Sequence, residues 1–376
     1  MKVANIIEEG RLAGPQLRIL QVAARLKALG VETVVYHPLE DSGRFGELLD
    51  KNRVSRIALP LHRLGRGKKA IFSYLFWFFP EMLMFCKSLR AGGFDLVHVS
   101  GGAWQLKGVI AAKIAGVRVL WHLNDSSLPL LMNILFRFLS RMDVSGYIVS
   151  CERAKNYYLK NNFRKIPIFK IMPPVNTEYF CPKNPIKWDS MTPIKIITIC
   201  NVNPGKGLEY FIDMAEILNQ RYSNLNFAIV GPVYETQIGY KNKLDERIKE
   251  KGLDNLRFTG PSDDVRTILE ESHILVCTSL AETGPMTVFE AMSMMKPVVS
   301  TDVGDVKAII EENFSGYVVP VGDSRALAER VAVFLDDPSL AEAFGRRARE
   351  RAESLLDISR AVAAHHDAYR AVVDGR

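Results

Sequence analysis

Short runs of β-branched and aliphatic residues alternate with longer amphipathic stretches along almost the whole chain, and this restricts the fold more than any other feature. In the first half the runs fall at residues 3–8, 31–36, 94–99, 118–123 and 146–150. After a break they resume at 194–200, 226–230, 256–259, 273–277, 297–300 and 316–319. Runs of that length suit strands, and the stretches between them are long enough for helices. Repeated strand–helix–strand units predict parallel sheets covered by helices on both faces. The first helix begins at Gly14 and Pro15, where a proline fits the opening turn, and Gly30 suits its end. Arg18, Gln21 and Arg25 form a polar stripe along it at helical spacing.

The break is residues 165–193, which carry Pro167, Pro173, Pro174, Pro182, Pro185 and Pro193. Such proline density reads as a linker. A chain of 376 residues has room for about two domains. The expected layout is a first domain at 1–172, a linker at 173–193, a second domain at 194–355 and a last helix at 356–376. Ligands of doubly wound sheets bind at the carboxyl ends of the strands, so two such domains facing across a cleft would place the site in that cleft.

Composition excludes several classes. With 48% hydrophobic and 24% charged residues, the chain is neither disordered nor a disulfide-stapled miniprotein. Cys86, Cys151, Cys181, Cys200 and Cys277 form no C-x-x-C pair, which argues for reduced thiols in the cytoplasm. Residues 1–7 are too short for an export signal, and Glu8 and Glu9 end the apolar run. The expectation is a cytoplasmic chain.

The net charge of +7 is uneven. Residues 51–69 hold seven Lys or Arg and no acid, and the segment AIFSYLFWFFPEMLMFC follows at 70–86. The pair suits either a surface at 51–86 that touches anionic lipid, or a solvated loop before a buried helix. The apolar segment is too short to span a bilayer.

Four segments could carry chemistry. In SLAETGPMTVFEAMSMMKPVVST, residues 279–301, a strand runs through a loop with Glu282 into a helix opening at Gly284 and Pro285. The N–H groups of Met286, Thr287 and Val288 would be free to hold phosphate. Glu282 and Glu290 flank that turn, and a carboxylate can accept hydrogen bonds from two sugar hydroxyls. A ligand with a sugar at each end and phosphates between fits the layout; two ordinary glutamates are the plain alternative. In CNVNPGKG, residues 200–207, Gly205 and Gly207 make a tight strand-to-helix loop and Lys206 offers a point charge to phosphate, or is simply solvated. In EGRLAGPQ, residues 9–16, Gly10 and Gly14 permit close backbone approach, without a G-x-G-x-x-G fingerprint. His98 and His122 stand at strand ends, the latter beside Asn124 and Asp125, and either serves as a polar ligand, a base or a structural residue. No G-x-S-x-G, H-E-x-x-H or Asp-x-Asp occurs, so nothing here demands a metal.

Taken together, the segments resemble a known family. ETGPMTVFE resembles the E-x7-E motif of retaining glycosyltransferases, in particular glycosyltransferase family 4 with the GT-B fold. AMSMMKPVVSTDVGDVKAII, NPGKGLEYFIDMAEIL, NLRFTGPSDDVRTILEESHILVCTS and MPPVNTEYF resemble its other second-half signatures, and FDLVH and VLWH its first-domain strands. The resemblance implies two doubly wound parallel-sheet, Rossmann-like domains facing across a cleft. It assigns the nucleotide ribose to Glu290 and the donor-sugar hydroxyls to Glu282. It assigns the diphosphate to Lys206, Gly14 and the backbone of Met286, Thr287 and Val288, and counts Asn201 and Gly205 among the donor-binding residues. His122 would touch the donor sugar near the reacting carbon, and His98, Asn124 and Asp125 would lie on the acceptor side. Catalysis would fall to His122, Glu282 and Lys206. The implied reaction moves a sugar from a nucleotide-diphospho-sugar, UDP-linked, to a glycan or a polyprenyl- or lipid-linked acceptor with retention. It would need no metal or cofactor and involve no nucleic acid, at the inner face of a membrane.

There are departures from the pattern. Asn201 stands where the family often has an arginine, Ala13-Gly14 replaces a double glycine, and Ser100 replaces a second histidine after FDLV. Asn201 leaves room for a catalytically weak nucleotide-sugar-binding partner subunit. The missing glycine fingerprint weighs against a nucleotide-dependent oxidoreductase.

Overall fold

The computed structural model describes all residues except 65–67, 125–127, 141–143, 161–165, 185–187, 189–191 and 376. The chain divides into two compact units, Met1–Pro173 with Ile358–Arg376, and Pro174–Asp357.

The first unit runs β1 (Lys2–Ile6), α1 (Gly14–Leu26), β2 (Glu32–Pro38), α2 (Gly43–Lys51), β3 (Ser55–Leu59), α3 (Lys68–Gly92), β4 (Leu96–Val99), α4 (Leu106–Ala115), β5 (Arg118–Leu123), α5 (Leu130–Leu139), β6 (Gly146–Val149), α6 (Glu152–Leu159) and β7 (Ile168–Lys170). Among the described residues, seven strands form one parallel sheet in the order β3-β2-β1-β4-β5-β6-β7. Alternation along the strands sorts side chains to two faces. Ala4, Ile6, Val97, Val99, Val119 and Trp121 pack under α3, α4 and α5. Val3, Leu96, Leu120 and Ile148 pack under α1 and the last helix of the chain.

The second unit runs β8 (Ile194–Ile199), α7 (Leu208–Asn219), β9 (Leu225–Val230), α8 (Ile238–Glu250), β10 (Leu256–Gly260), α9 (Val265–Glu270), β11 (Ile274–Cys277), α10 (Met286–Ser293), β12 (Val298–Thr301), α11 (Val306–Ile309), β13 (Tyr317–Val319), α12 (Ser324–Asp336) and α13 (Pro338–Leu356). Among its described residues, six parallel strands take the order β10-β9-β8-β11-β12-β13. The chain then returns to the first unit as α14 (Ile358–Asp374), whose Val362, Tyr369 and Val372 complete the apolar layer over that sheet. Both sheets are thus doubly wound, Rossmann-like and parallel, as the alternation predicts. In each, the order reverses between the first and fourth strands, and ligands of such sheets bind at that reversal.

Three details differ from the sequence reading. β3 lies inside the basic run, and β7 lies inside the proline-rich stretch. Both are edge strands whose residues are mostly half-buried or exposed, so neither carries the apolar signature of a central strand. Arg18 does not continue a wet stripe with Gln21 and Arg25; it is buried, 8% exposed. In α3, Met82, Phe85, Cys86 and Leu89 join the core, while Phe72, Leu75, Phe76, Phe79 and Leu83 face outward, so the helix is not wholly buried.

Candidate functional site

In the second unit the order reverses between β8 and β11. The loop after β8 and the loop after β11 meet there. The Leu280 N–H donates to the Gly205 carbonyl at 2.9 Å, and Thr278 Oγ1 donates to the Lys206 carbonyl at 2.8 Å. Thr301 Oγ1, at the end of β12, donates to the Ser279 carbonyl at 2.7 Å. Asn203 ties the first loop internally: its Oδ1 accepts from the Gly205 N–H at 3.0 Å and its Nδ2 donates to the Asn201 carbonyl at 3.2 Å.

Gly207 ends this loop with φ +58°. A Cβ there would lie 2.4 Å from the Thr278 carbonyl oxygen, so the position needs glycine for both conformation and space. Gly207→Ala is expected to destabilise the protein by about 2–3 kcal/mol in denaturant unfolding. A cost below about 0.5 kcal/mol would contradict that close approach.

Lys206 Nζ is hydrogen-bonded to the Glu282 carboxylate, which also accepts from Ser279 Oγ at 2.9 Å. Burial works against the Lys206 charge, but Glu282 more than offsets it and raises the ammonium pKa. Helix α10 opens behind Pro285 with no side-chain cap. The Val288 N–H is not free, contrary to the sequence expectation: it donates to the Pro285 carbonyl at 3.0 Å in a tight first turn, and its side chain is fully buried. Met286 and Thr287 are half-buried at the helix start.

One turn on, Glu290 is half-buried, and its carboxylate makes no hydrogen bond or ion pair among the described residues. Burial alone pushes its pKa up to about 8. A desolvated carboxylate without a partner is costly to keep, and a ligand with hydroxyl groups would satisfy it. Unit 2 therefore sets a lysine, a carboxylate held by that lysine and an unpartnered carboxylate around one strand-order reversal. Asn201 is exposed at the mouth of the first loop. Burial pushes the thiol of Cys200, at the end of β8, up to about 12, so it is no nucleophile near neutral pH.

In the first unit, Gly14 is the first residue of α1. Glu8, just past β1, accepts from the Lys107 and Gly108 N–H groups at 3.1 and 3.3 Å, at the start of α4. Burial raises its carboxyl to about 7, with Lys107 partly offsetting. Lys107 is buried and donates to Glu81 Oε2 and the His62 carbonyl, each at 2.5 Å. The sequence drew no attention to this network.

His98 and His122 both point to the α1 and α14 face of the sheet, where they stack at 5.4 Å with His98 Nε2 3.2 Å from His122 Nδ1. Both are 1% exposed. His365 and Tyr369 from α14 close over them, with Tyr369 Oη 2.7 Å from His98 Nδ1. Arg18 is hydrogen-bonded to the His122 ring. Burial first, and Arg18 second, hold both rings well below their ordinary pKa, so they are neutral and poor proton carriers. The sequence reading missed Arg18, His365 and Tyr369 here. Ring nitrogens of His98, His122 and His365 lie within 4.8 Å of one another, the spacing a metal would need. Arg18 acts on all three rings, and a second cation beside its guanidinium would be disfavoured. Asn124 is half-buried just after β5, and Asp125 lies outside the described residues.

Comparisons with known proteins bear on this arrangement. Residues 183–351 match the family model described as glycosyl transferases group 1. WcaL of Escherichia coli strain K12, named as a colanic acid biosynthesis glycosyltransferase, is 31% identical over 191 residues, 48% of this chain and 45% of its own. The lipopolysaccharide core biosynthesis mannosyltransferase LpcC of Rhizobium leguminosarum is 24% identical over 294 residues, 72% of this chain and 83% of its own. The chain spans about half the length of the first curated relatives it matches. Among solved structures, Anabaena HepE in complex with UDP-glucose superposes with a TM-score of 0.83 at 18% identity, covering 98% of this chain and all of that one. That likeness shows a shared fold.

Proposed function

We propose that the chain is a retaining glycosyltransferase of family 4 that takes a UDP-linked sugar and passes it to a glycan or to a polyprenyl- or lipid-linked acceptor, in cell-surface polysaccharide or glycolipid synthesis. The observation that carries the reading is the unpartnered Glu290 carboxylate beside a strand-order reversal that also holds Lys206 and Glu282. The family match over residues 183–351 supports it. So do HepE, solved with UDP and with UDP-glucose, and LpcC, a mannosyltransferase.

In this reading Glu290 accepts two hydrogen bonds from the ribose hydroxyls. Lys206 leaves Glu282 for the diphosphate and stabilises the charge that grows on it as the sugar departs. Glu282, released, takes hydroxyls of the donor sugar. Gly205 and the backbone of Met286 and Thr287 leave room for the phosphates. The leaving phosphate takes the acceptor's proton, so no protein nucleophile and no metal is required. Unit 1 carries the acceptor, and the enzyme works on the cytoplasmic side of a membrane.

A second reading is a binding subunit with little turnover, and the neutral, exposed Asn201 in the first loop favours it. Hydrolysis of UDP-glucose without any acceptor separates the two. The enzyme reading expects slow release of glucose that falls by on the order of a hundredfold or more in Lys206→Ala. Binding of UDP-glucose with no hydrolysis above the buffer rate would favour the subunit.

A further inference from the structure

We propose that the outer faces of α3 and α5 form a docking surface for an anionic lipid bilayer. This deepens the reading of a membrane-held acceptor and rests on it for its purpose, but the observations stand on the helices alone. Five large apolar side chains of α3, namely Phe72, Leu75, Phe76, Phe79 and Leu83, recur at spacings of three and four and all face outward; Phe72 is 71% and Phe79 67% exposed. Trp77 is also exposed and stacks on His62, with Phe76 edge-on to it at 5.3 Å. Exposed stripes of this kind are rare on surfaces that only meet water.

α3 turns apolar side chains to both sides and its acidic residue inward. Its one acidic residue, Glu81, is 3% exposed and bonded to Lys107 and His62, and Tyr74 is buried under the Lys107 ammonium at 4.0 Å. With Met82, Phe85, Cys86 and Leu89 in the core, this buried pair holds one face of the helix inward and leaves the other outside. α5 lies in the same helical layer and leaves Ile134, Leu135 and Phe138 exposed. The charge around these faces selects the occupant. Glu81 is the single acidic residue in the sequence of α3 and α5 has none, whereas Lys87 and Arg90 of α3 and Arg137 of α5 are exposed. Apolar side chains, aromatic rings and cations together suit the headgroup boundary of an anionic leaflet. No helix among the described residues is long and apolar enough to cross a membrane, so α3 would lie in the interface.

The test is co-sedimentation of the purified full chain with phosphatidylcholine vesicles, and with vesicles that also contain phosphatidylglycerol. The mixed vesicles are expected to bind more strongly, and increasingly so as salt is lowered. Combined Phe72→Ser, Phe76→Ser and Phe79→Ser should weaken that binding by on the order of a hundredfold, with unchanged melting because the side chains are exposed. Lys87→Glu with Arg137→Glu should remove the preference for phosphatidylglycerol. Equal binding of the triple variant and the native chain overturns the proposal. So does a native dimer in light scattering that the triple variant makes monomeric, because a second copy would then cover the face. UDP-glucose binding is measured on the same samples. If it survives while vesicles are ignored, only the docking surface fails; if vesicles bind and UDP-glucose does not, only the donor reading fails.

Discussion

Glu290→Gln is expected to stabilise the ligand-free protein and to weaken its binding of UDP-glucose. The folded carboxyl has a pKa of about 8 against an ordinary 4.5, because burial penalises its ionised form. A carboxyl raised on folding makes the folded state lose stability as pH climbs from 4.5 towards 8. Below 4.5 the native chain and the glutamine variant should be equally stable. Above 8 the variant should lead by about 2–4 kcal/mol, a figure discounted for the part exposure of the site. Binding should run the other way. Hydroxyl donors favour the ionised carboxylate, so UDP-glucose, whose diphosphate diester does not titrate here, should bind more tightly as pH rises to 8 and release a proton. In the variant that pH dependence should vanish, and affinity should fall by on the order of a hundredfold. Calorimetry in buffers of different ionisation enthalpy reads both effects. A variant no more stable than the native chain at pH 8, or one that binds UDP-glucose normally, removes Glu290 from the site.

The second large effect concerns the buried pair under α3. Lys107→Met leaves the Glu81 carboxylate, 3% exposed, without its cation. Breaking one side of such a pair costs about 3–5 kcal/mol, whereas replacing both sides with apolar groups is often nearly neutral. Equilibrium unfolding of Lys107→Met should therefore show that full cost. Lys107→Met with Glu81→Leu should recover most of it, although His62 then loses its partner too. Equal losses in the single and double variants would mean that the pair contributes through packing alone.

The architecture was readable because it rests on local periodicity. Central strands such as β5 are mostly apolar and buried after their first residue, and the sequence placed β5 at its observed limits. The edge strands β3 and β7 escaped because a strand paired on one side needs no continuous apolar run. In unit 2, Lys206 and Glu282 were both singled out from the sequence, each from the pattern of its own loop, while their contact with one another was not. What local pattern could not show was contact across long separations. His98 and Tyr369 lie 271 residues apart. Arg18 looked like part of a solvated stripe because nothing near it in sequence signals that α14 will cover it. Val288 was taken for a free donor because helix periodicity says nothing about a tight first turn. Nothing near Glu81 in its apolar run signals that its carboxylate turns inward to Lys107.

The proposed function requires a nucleoside diphosphate site in the second unit, and we propose that it binds without metal. The most direct measurement is the melting temperature of the purified protein against UDP, GDP, CDP, ADP and NAD, each with a chelator present. A ligand bound only by the folded state stabilises it by about 2.7 kcal/mol at a hundredfold excess over its dissociation constant. The account predicts a rise with UDP that exceeds the others and disappears in Glu290→Gln. No rise with any nucleoside diphosphate, or a larger rise with NAD than with UDP, would contradict it.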